Sequence, residues 1–320
     1  MVLKINADLR IVFMGTPEFA VAGLQRLVVE GCNIVGVITA PDRPAGRGRK
    51  LKASAVKTYA KAQGLRVLQP SNLKDPDFLK ELGSLNANLQ VVVAFRMLPA
   101  AVWSMPEYGT FNLHASLLPQ YRGAAPINWA IINGETETGV TTFFIDEKID
   151  TGALLLQEKV TIEPEETAGE LHDRLMLLGA DLIIQTTKAI AKGIVVPTKQ
   201  PLTGQLKAAP KIHRETCKIN WDLSLEEIYN HVRGLSPYPT AWTTLKNSEE
   251  EILLKVYRSK KIRADHPLAI GRVIVDDRKI KIAVKQGYLE LHEIQLPGKR
   301  KMNVSDVLNG FEVHPDAYVL

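Results

Sequence analysis

Three side chains near the middle of the 320-residue chain have the types and spacing to manage a proton and a developing negative charge. Asn112 and His114 lie in Phe111–Gly123, FNLHASLLPQYRG, and Asp150 lies in Phe144–Gly152, FIDEKIDTG. If Asn112-Leu113-His114 ends a strand, the two-residue period puts the amide and the imidazole on one face. An amide donor and an imidazole aimed together could serve an oxyanion and a proton transfer. The same pair also fits a polar strand end satisfied by neighbouring loops. Asp146 and Asp150 read first as turn residues bonded to their own backbone. Beside a histidine, however, a carboxylate would hold the ring's tautomer and favour its protonated form.

A third segment, Pro41–Lys52, PDRPAGRGRKLK, sets Arg43, Arg47, Arg49, Lys50 and Lys52 against the single acid Asp42. Its two prolines and two glycines argue against regular structure, so a mobile basic loop is expected. Arginines in such a loop suit bidentate phosphate contacts, and the glycines let backbone approach closely. The other reading is a solvated loop with no partner.

The elements that must position these residues read as alternating strands and helices. Leu9–Gly15 is an apolar run, followed by a cap-like Thr16-Pro17-Glu18 and by Ala20, Leu24, Leu27 and Val28 at helical spacing. Asn33–Thr39, Gln90–Ala94 and Thr110–Leu113 read as strands; Ala53–Gly64 reads as a helix, and another begins in Gly123–Ile132. Strands apolar on both faces and alternating with helices predict an α/β domain on an open, Rossmann-like parallel sheet. In such a sheet ligands bind at the carboxyl ends of strands, where Asn112 and His114 would stand. From about Gly204 the pattern changes to one helix, Leu223–Val232, and short β-rich segments at Ala241–Leu245, Ile252–Tyr257, Gly271–Val275, Ile280–Val284 and Leu289–Leu296. These predict a smaller antiparallel barrel or sandwich, with the boundary in the Pro-, Gly- and Lys-rich stretch 198–212.

Length and composition fit two globular domains, with 45% hydrophobic and 23% charged residues. No apolar run approaches the roughly 20 residues of a membrane helix, and MVLKINADLR has no apolar signal core, so a cytoplasmic protein without membrane contact is expected. Cys32 and Cys217 are too few for a disulfide framework or a cysteine zinc site, and the seven histidines are scattered, so no metal is expected. Gly15-Thr16-Pro17 lacks the dinucleotide glycine spacing, and no phosphate-loop motif occurs. The net charge of +5 divides into 21 basic and 20 acidic residues over 1–204, and 19 and 15 over 205–320. The global excess therefore sits late in the chain, whereas the densest cluster is 41–52.

Asn112, His114 and Asp150, together with Ser116-Leu117-Leu118-Pro119, resemble the signature of enzymes that transfer a formyl group from 10-formyltetrahydrofolate. That signature is shared by glycinamide ribonucleotide, sugar-nucleotide and methionyl-tRNA formyltransferases. The opening RIVFMGTPEFA, the basic PDRPAGRGRKL segment, YRGAAPINWAIINGETETGVT and a β-rich basic C-terminal part are similar to the methionyl-tRNA formyltransferase branch. One segment departs: VVVAFRMLP (91–99) stands where the branch carries something closer to VVVAYGxILP, with Arg96 in place of a glycine and one residue fewer.

The resemblance implies a formyltransferase domain over 1–204 and an OB-like, tRNA-binding barrel over 205–320. It implies 10-formyltetrahydrofolate as formyl donor and initiator methionyl-tRNA as acceptor, with a monomeric enzyme. Asn112, His114 and Asp150 would be catalytic. Ser116, Leu117, Leu118 and Pro119 would hold the folate through their backbone, with Phe95 and Met97 on its pterin side. Arg43, Arg47, Arg49 and Lys50 would meet tRNA phosphates. A sugar-nucleotide formyltransferase keeps the same trio and a C-terminal domain but has no need of so basic a segment. A non-catalytic RNA-binding protein is the third alternative, which an intact trio argues against.

Overall fold

A computed structural model describes residues 8–45, 50–201 and 204–320. The described chain forms two compact units. The first gathers Met1–Gly123, Thr138–Val160 and His172–Ala208; the second gathers Ala124–Glu137, Thr161–Leu171 and Ala209–Leu320.

The first unit is built on β1 (Ile11–Gly15), β2 (Ile34–Ile38), β3 (Val67–Leu68), β4 (Leu89–Val93), β5 (Thr110–His114), β6 (Glu137–Phe144) and β7 (Leu154–Thr161). They lie in the order β7-β6-β5-β4-β1-β2-β3. β1 to β5 are mutually parallel, and β6 runs antiparallel to β5. Every residue of β1 and β4 is buried, as expected of predominantly apolar strands covered on both faces; the one polar residue of β4, Gln90, accepts from the Thr110 hydroxyl at 2.9 Å. The chain moves outward from β1 through β2 and β3, then returns to the opposite side of β1 as β4. That reversal is a topological switch point, the place where open α/β sheets bind ligands.

The 24-residue helix Ala168–Ala191 covers β5: a Cβ on Gly179 would meet Leu113 Cδ2 at 2.6 Å. Leu113 is thereby committed to the helix side, which leaves Asn112 and His114 on the other face of the strand. The helix Glu18–Val29 begins immediately after β1, with Pro17 as its N-cap and not as its first helical residue.

In the second unit the helix Leu225–Leu235 starts at a capping box, Ser224 with Glu227, which the sequence spells as S-x-x-E. Six antiparallel strands follow, β8 (Ala241–Asn247), β9 (Glu250–Arg263), β10 (Val273–Asp276), β11 (Lys279–Val284), β12 (Gly287–Gln295) and β13 (Met302–Asn303), and then β14 (Tyr318–Val319). The path runs β10-β11-β12-β9-β8-β14, with β13 beside β12. A bridge between Arg272 and Tyr318 brings its two ends together as a nearly closed barrel. Register shifts around Val256–Ser259 in β9 mark the irregularity by which a long strand bends around it.

Stretch 124–137 belongs with this unit because its helix Pro126–Ile132 packs on Leu225–Leu235, where Asn128 donates to the Gly234 carbonyl at 2.8 Å. Arg233, 8% exposed, secures stretch 161–171: it donates to Asn230 Oδ1 at 2.9 Å and to the Glu166 carbonyl at 2.9 Å. Arg233→Met keeps the apolar stem but strands those acceptors. The loss should be about 2–4 kcal/mol, read as a lower denaturant midpoint for the full chain. A loss under about 0.5 kcal/mol would show that water replaces the guanidinium.

Candidate active site

β5 carries the first two of the three chemistry-bearing residues. Asn112 pairs in register with Val92 and Phe143, and His114 with Thr141. His114 is 6% exposed, whereas Asn112 is half-buried, and its side-chain amide has no hydrogen-bond partner among the described residues. An unpartnered amide at the carboxyl end of a sheet strand is a donor without an internal acceptor.

The imidazole is held on both sides. Its Nε2 lies 2.8 Å from the Tyr121 carbonyl, which can only accept, so Nε2 carries the proton. Its Nδ1 lies 3.8 Å from Asp150 Oδ2. That is ion-pair distance for a protonated ring and beyond hydrogen-bond reach for a neutral one. The same carboxylate oxygen accepts the Gly123 amide at 3.0 Å. Asp150 has φ +55° and Tyr121 φ +59°, left-handed conformations that aspartate tolerates but that a bulky tyrosine adopts only when its surroundings impose it. Asp146 is the residue that takes the turn role, accepting from the Lys148 amide at 3.0 Å and the Thr151 hydroxyl at 2.7 Å. The structure thus divides two carboxylates that look equivalent in sequence.

The Ser116–Pro119 turn follows directly from β5. The Thr141 hydroxyl, buried on β6, donates to the Ser116 carbonyl at 2.6 Å and accepts from the Leu118 amide at 3.2 Å. Gln157 donates to the Leu118 carbonyl at 2.8 Å, and the Ser116 hydroxyl to the Gln120 carbonyl at 2.6 Å. Ser116 and Leu118 are buried; Leu117 and Pro119 are half-buried. Among the expected folate residues beyond β4, Phe95 is half-buried against the core cluster of Met14, Ile38 and Leu98, and Met97 is 68% exposed. Arg96, at which this segment departs, has its guanidinium 5.5 Å above the Phe95 ring and donates to the Ser71 carbonyl at 2.9 Å and to the Pro70 carbonyl. Burial, then the cation of Arg43, lowers its pKa from the usual arginine value.

The basic segment departs from the expected irregular loop. Arg43–Ala45 and Lys50–Lys52 pair as antiparallel strands, with Arg43 opposite Lys52 and Pro44 opposite Leu51. Proline is tolerated because a two-stranded ribbon is all edge, where its missing N–H costs no ladder bond. Arg43 is exposed; Arg47 and Arg49 lie outside the described residues, and of Lys50 the backbone alone is described. The one acid is occupied elsewhere. Gln69 at 2.9 Å and Lys57 at 2.5 Å bond Asp42 and hold its carboxyl below the usual range. Among the described residues, no group of three or more His, Cys, Asp or Glu is placed to hold a metal. None of the described helices is long and apolar enough to cross a membrane.

Residues 9–187 match the family model of formyl transferases, and residues 211–312 match that of the formyl transferase C-terminal domain. A methionyl-tRNA formyltransferase of Flavobacterium johnsoniae is 58% identical over 311 residues, covering 97% of this chain and 99% of that protein. One of Bacteroides thetaiotaomicron is 51% identical over 311 residues, covering 96% and 97%. The chain belongs to the methionyl-tRNA formyltransferase family. Solved structures show that this family member shares its fold with more distant proteins. WlaRD, a sugar 3N-formyl transferase crystallised with dTDP and 5-N-formyl-THF, superposes with a TM-score of 0.62 at 19% identity, covering 92% of this chain and 100% of that one. HypX from Aquifex aeolicus in complex with tetrahydrofolic acid gives 0.63 at 16% identity, covering 94% and 47%.

Sequence reasoning missed what holds His114, Asp150 and the Ser116–Pro119 turn in place within this family member. Tyr121, Gly123, Thr141 and Gln157 act through a backbone group or a buried polar contact from distant parts of the chain. The one legible signal for Tyr121 and Gly123 is the Tyr121-Arg122-Gly123 run itself, where a glycine follows two bulky residues.

Proposed function

We propose that this chain transfers the formyl group of 10-formyltetrahydrofolate to the α-amino group of methionyl initiator tRNA, in the cytoplasm and as a monomer. The observation that carries it is Asn112 and His114 at the carboxyl end of β5 with Asp150 beside the ring, in a chain 58% identical to a methionyl-tRNA formyltransferase. The unpartnered Asn112 amide and the partly buried Ser116–Pro119 turn fit a formyl-bearing folate. Bound, that molecule supplies an activated formyl carbon.

Chemically, one N–C bond forms between the amine and the formyl carbon, and the bond from that carbon to the folate nitrogen breaks. The amine loses one proton and the departing nitrogen gains one, so no net acid or base is consumed. Asn112 donates to the formyl oxygen as charge gathers there. His114 and Asp150 accept the amine proton and return it, the ring charged in between and stabilised by the carboxylate across 3.8 Å. An α-amino group of ordinary pKa near 8 is partly neutral at pH 7 and attacks without a strong base. Ser116, Leu117, Leu118 and Pro119 present backbone to the folate, with Phe95 and Met97 toward its pterin.

The first unit does this chemistry, and the barrel over 205–320 contacts tRNA. Arg43, Arg47, Arg49 and Lys50 meet its phosphates. Arg43→Ala with Arg47→Ala should raise KM for charged tRNA at least tenfold and flatten its salt dependence by about 0.7–0.9 per lost contact on a log–log plot. The folate KM should stay within twofold. An equal loss for both substrates would place these arginines outside tRNA recognition.

The deciding experiment is transfer of labelled formyl from 10-formyltetrahydrofolate to methionyl initiator tRNA, with a nucleotide-linked amino sugar as the competing acceptor. Label on the sugar alone would replace this reading with sugar-nucleotide formylation. Label on neither, with tRNA still bound, would make the chain a binding protein.

A further inference from the structure

The Tyr121-Arg122-Gly123 segment, whose last two residues form a short strand, touches both members of the histidine–aspartate pair: the Tyr121 carbonyl accepts the hydrogen bond of His114 Nε2–H, and the Gly123 amide donates to Asp150 Oδ2. Arg122, between them, turns its side chain to Gln200, far along the chain. Its Nε and one terminal nitrogen lie 3.1 and 2.5 Å from Gln200 Oε1. The Gln200 amide nitrogen in turn donates to the Asp150 carbonyl at 2.9 Å and the Gly152 carbonyl at 2.8 Å. Only one orientation of that amide serves this set. Reversed, its oxygen would face two carbonyls and its NH2 a cation.

Two features mark this chain of bonds as more than loop packing. Gln200 is 3% exposed and spends all its polar capacity on these partners. Arg122 is half-buried, yet among the described residues no carboxylate lies within ion-pair distance of it. With no carboxylate beside it, the guanidinium places two of its N–H donors on one amide oxygen, a charge-assisted contact stronger than a neutral one. Here it orients an amide dipole so that the dipole's positive end faces the backbone of a left-handed aspartate, φ +55°. A hydrogen-bond donor shared by the carbonyls on either side of Thr151 fixes that conformation from behind, while the Gly123 amide fixes the carboxylate from the front.

We propose that Arg122 and Gln200 form a positioning pair that sets the placement of Asp150 against His114. Neither touches the reacting atoms; both act through Asp150. The inference rests on the formyl-transfer reading for its kinetic consequence and on geometry alone for its structural one.

Gln200→Met preserves volume and removes every polar contact. It should lower kcat about 10- to 100-fold, the range for displacing a reacting group by about 1 Å, and leave KM for folate and for tRNA within threefold. In the same full-length protein, hydrogen exchange of the Gly123 amide should accelerate at least tenfold, with the Val12–Met14 amides of β1 unchanged as the control for global opening. Arg122→Lys, which keeps the charge but not the fork, should fall between Gln200→Met and the parent on both readings, and it serves if Gln200→Met does not fold. Turnover within threefold of the parent, or Gly123 protection unchanged, overturns the pair. Loss carried by KM alone overturns it too. If the parent transfers no formyl group at all, the functional reading fails instead, and the Gly123 exchange arm still decides the placement.

Discussion

His114→Ala should lower kcat/KM for formyl transfer by about 10³-fold, the middle of the range for loss of a positioned acid–base group. The ring faces both the Tyr121 carbonyl and Asp150, so its removal takes away the proton carrier and leaves a half-buried carboxylate facing a cavity. Asn112→Ala should cost about 10²–10³ by loss of a single oxyanion donor. It should do so almost wholly in kcat, because the amide is used only when charge develops. The two losses together should come to less than their product, since both groups serve one step. His114→Gln adds a discriminating arm: the amide can still donate to the Tyr121 carbonyl, so the local fold is kept while proton transfer is lost. Steady-state formylation of charged tRNA measures all four. Activity within threefold of the parent for His114→Gln would show that the ring orients but does not move a proton. Activity within threefold for His114→Ala would remove His114 from the reaction.

The trio was legible because its members sit in short, distinctive runs and because strand periodicity alone aligns Asn112 with His114. Their partners were not, for a physical reason. The Tyr121 carbonyl and the Gly123 amide are backbone groups, which nearly every residue type supplies, and their direction depends on the left-handed φ of Tyr121, which no propensity favours at so bulky a residue. Gln200 is a buried polar residue in a stretch that reads as a linker, and its function exists only once the chain has folded to bring it back to Asp150, 50 positions earlier. The helix Ala168–Ala191 went unread in part because LMLLGADLII is apolar on nearly every face and carries a mid-helix glycine. A helix glycine costs about 1 kcal/mol against alanine, and here Leu113 beneath Gly179 explains it. The basic segment failed in the opposite direction. Its prolines weigh as breakers, yet a two-stranded ribbon accepts Pro44 opposite Leu51, and charge density says nothing about pairing.

Gly152→Ala should cost about 10²-fold in kcat although the residue has no chemistry of its own. A Cβ there would stand 1.6 Å from the Phe144 carbonyl oxygen and 2.8 Å from its carbon, at the end of β6. Neither atom can yield as a flexible side chain would, because Phe144 is locked in the sheet by its pairing with Phe111. The segment carrying Asp150 must move instead. Its carbonyl at 152 would draw away from Gln200, now 2.8 Å distant, and the carboxylate from the Gly123 amide, now 3.0 Å distant. A displacement of about 1 Å at a reacting group is enough for a loss of that size, roughly 2.7 kcal/mol of barrier. The fold should also lose roughly 2–4 kcal/mol, so turnover must be measured well below the variant's Tm, alongside far-UV dichroism. The comparison that isolates the cause is Gly139→Ala, whose Cβ would stand 2.1 Å from the Glu158 carbonyl oxygen in the same sheet, away from the Asp150 segment; it would also stand 2.6 Å from Leu117 Cδ2, so kcat is read at saturating folate, where a weaker folate grip does not enter. Gly139→Ala should lose comparable stability and keep kcat within about fivefold once folded. If the two variants lose kcat equally, the Gly152 effect is stability alone. If Gly152→Ala turns over like the parent, Asp150 has more freedom at the site than its bonds to Gly123 and Gln200 imply.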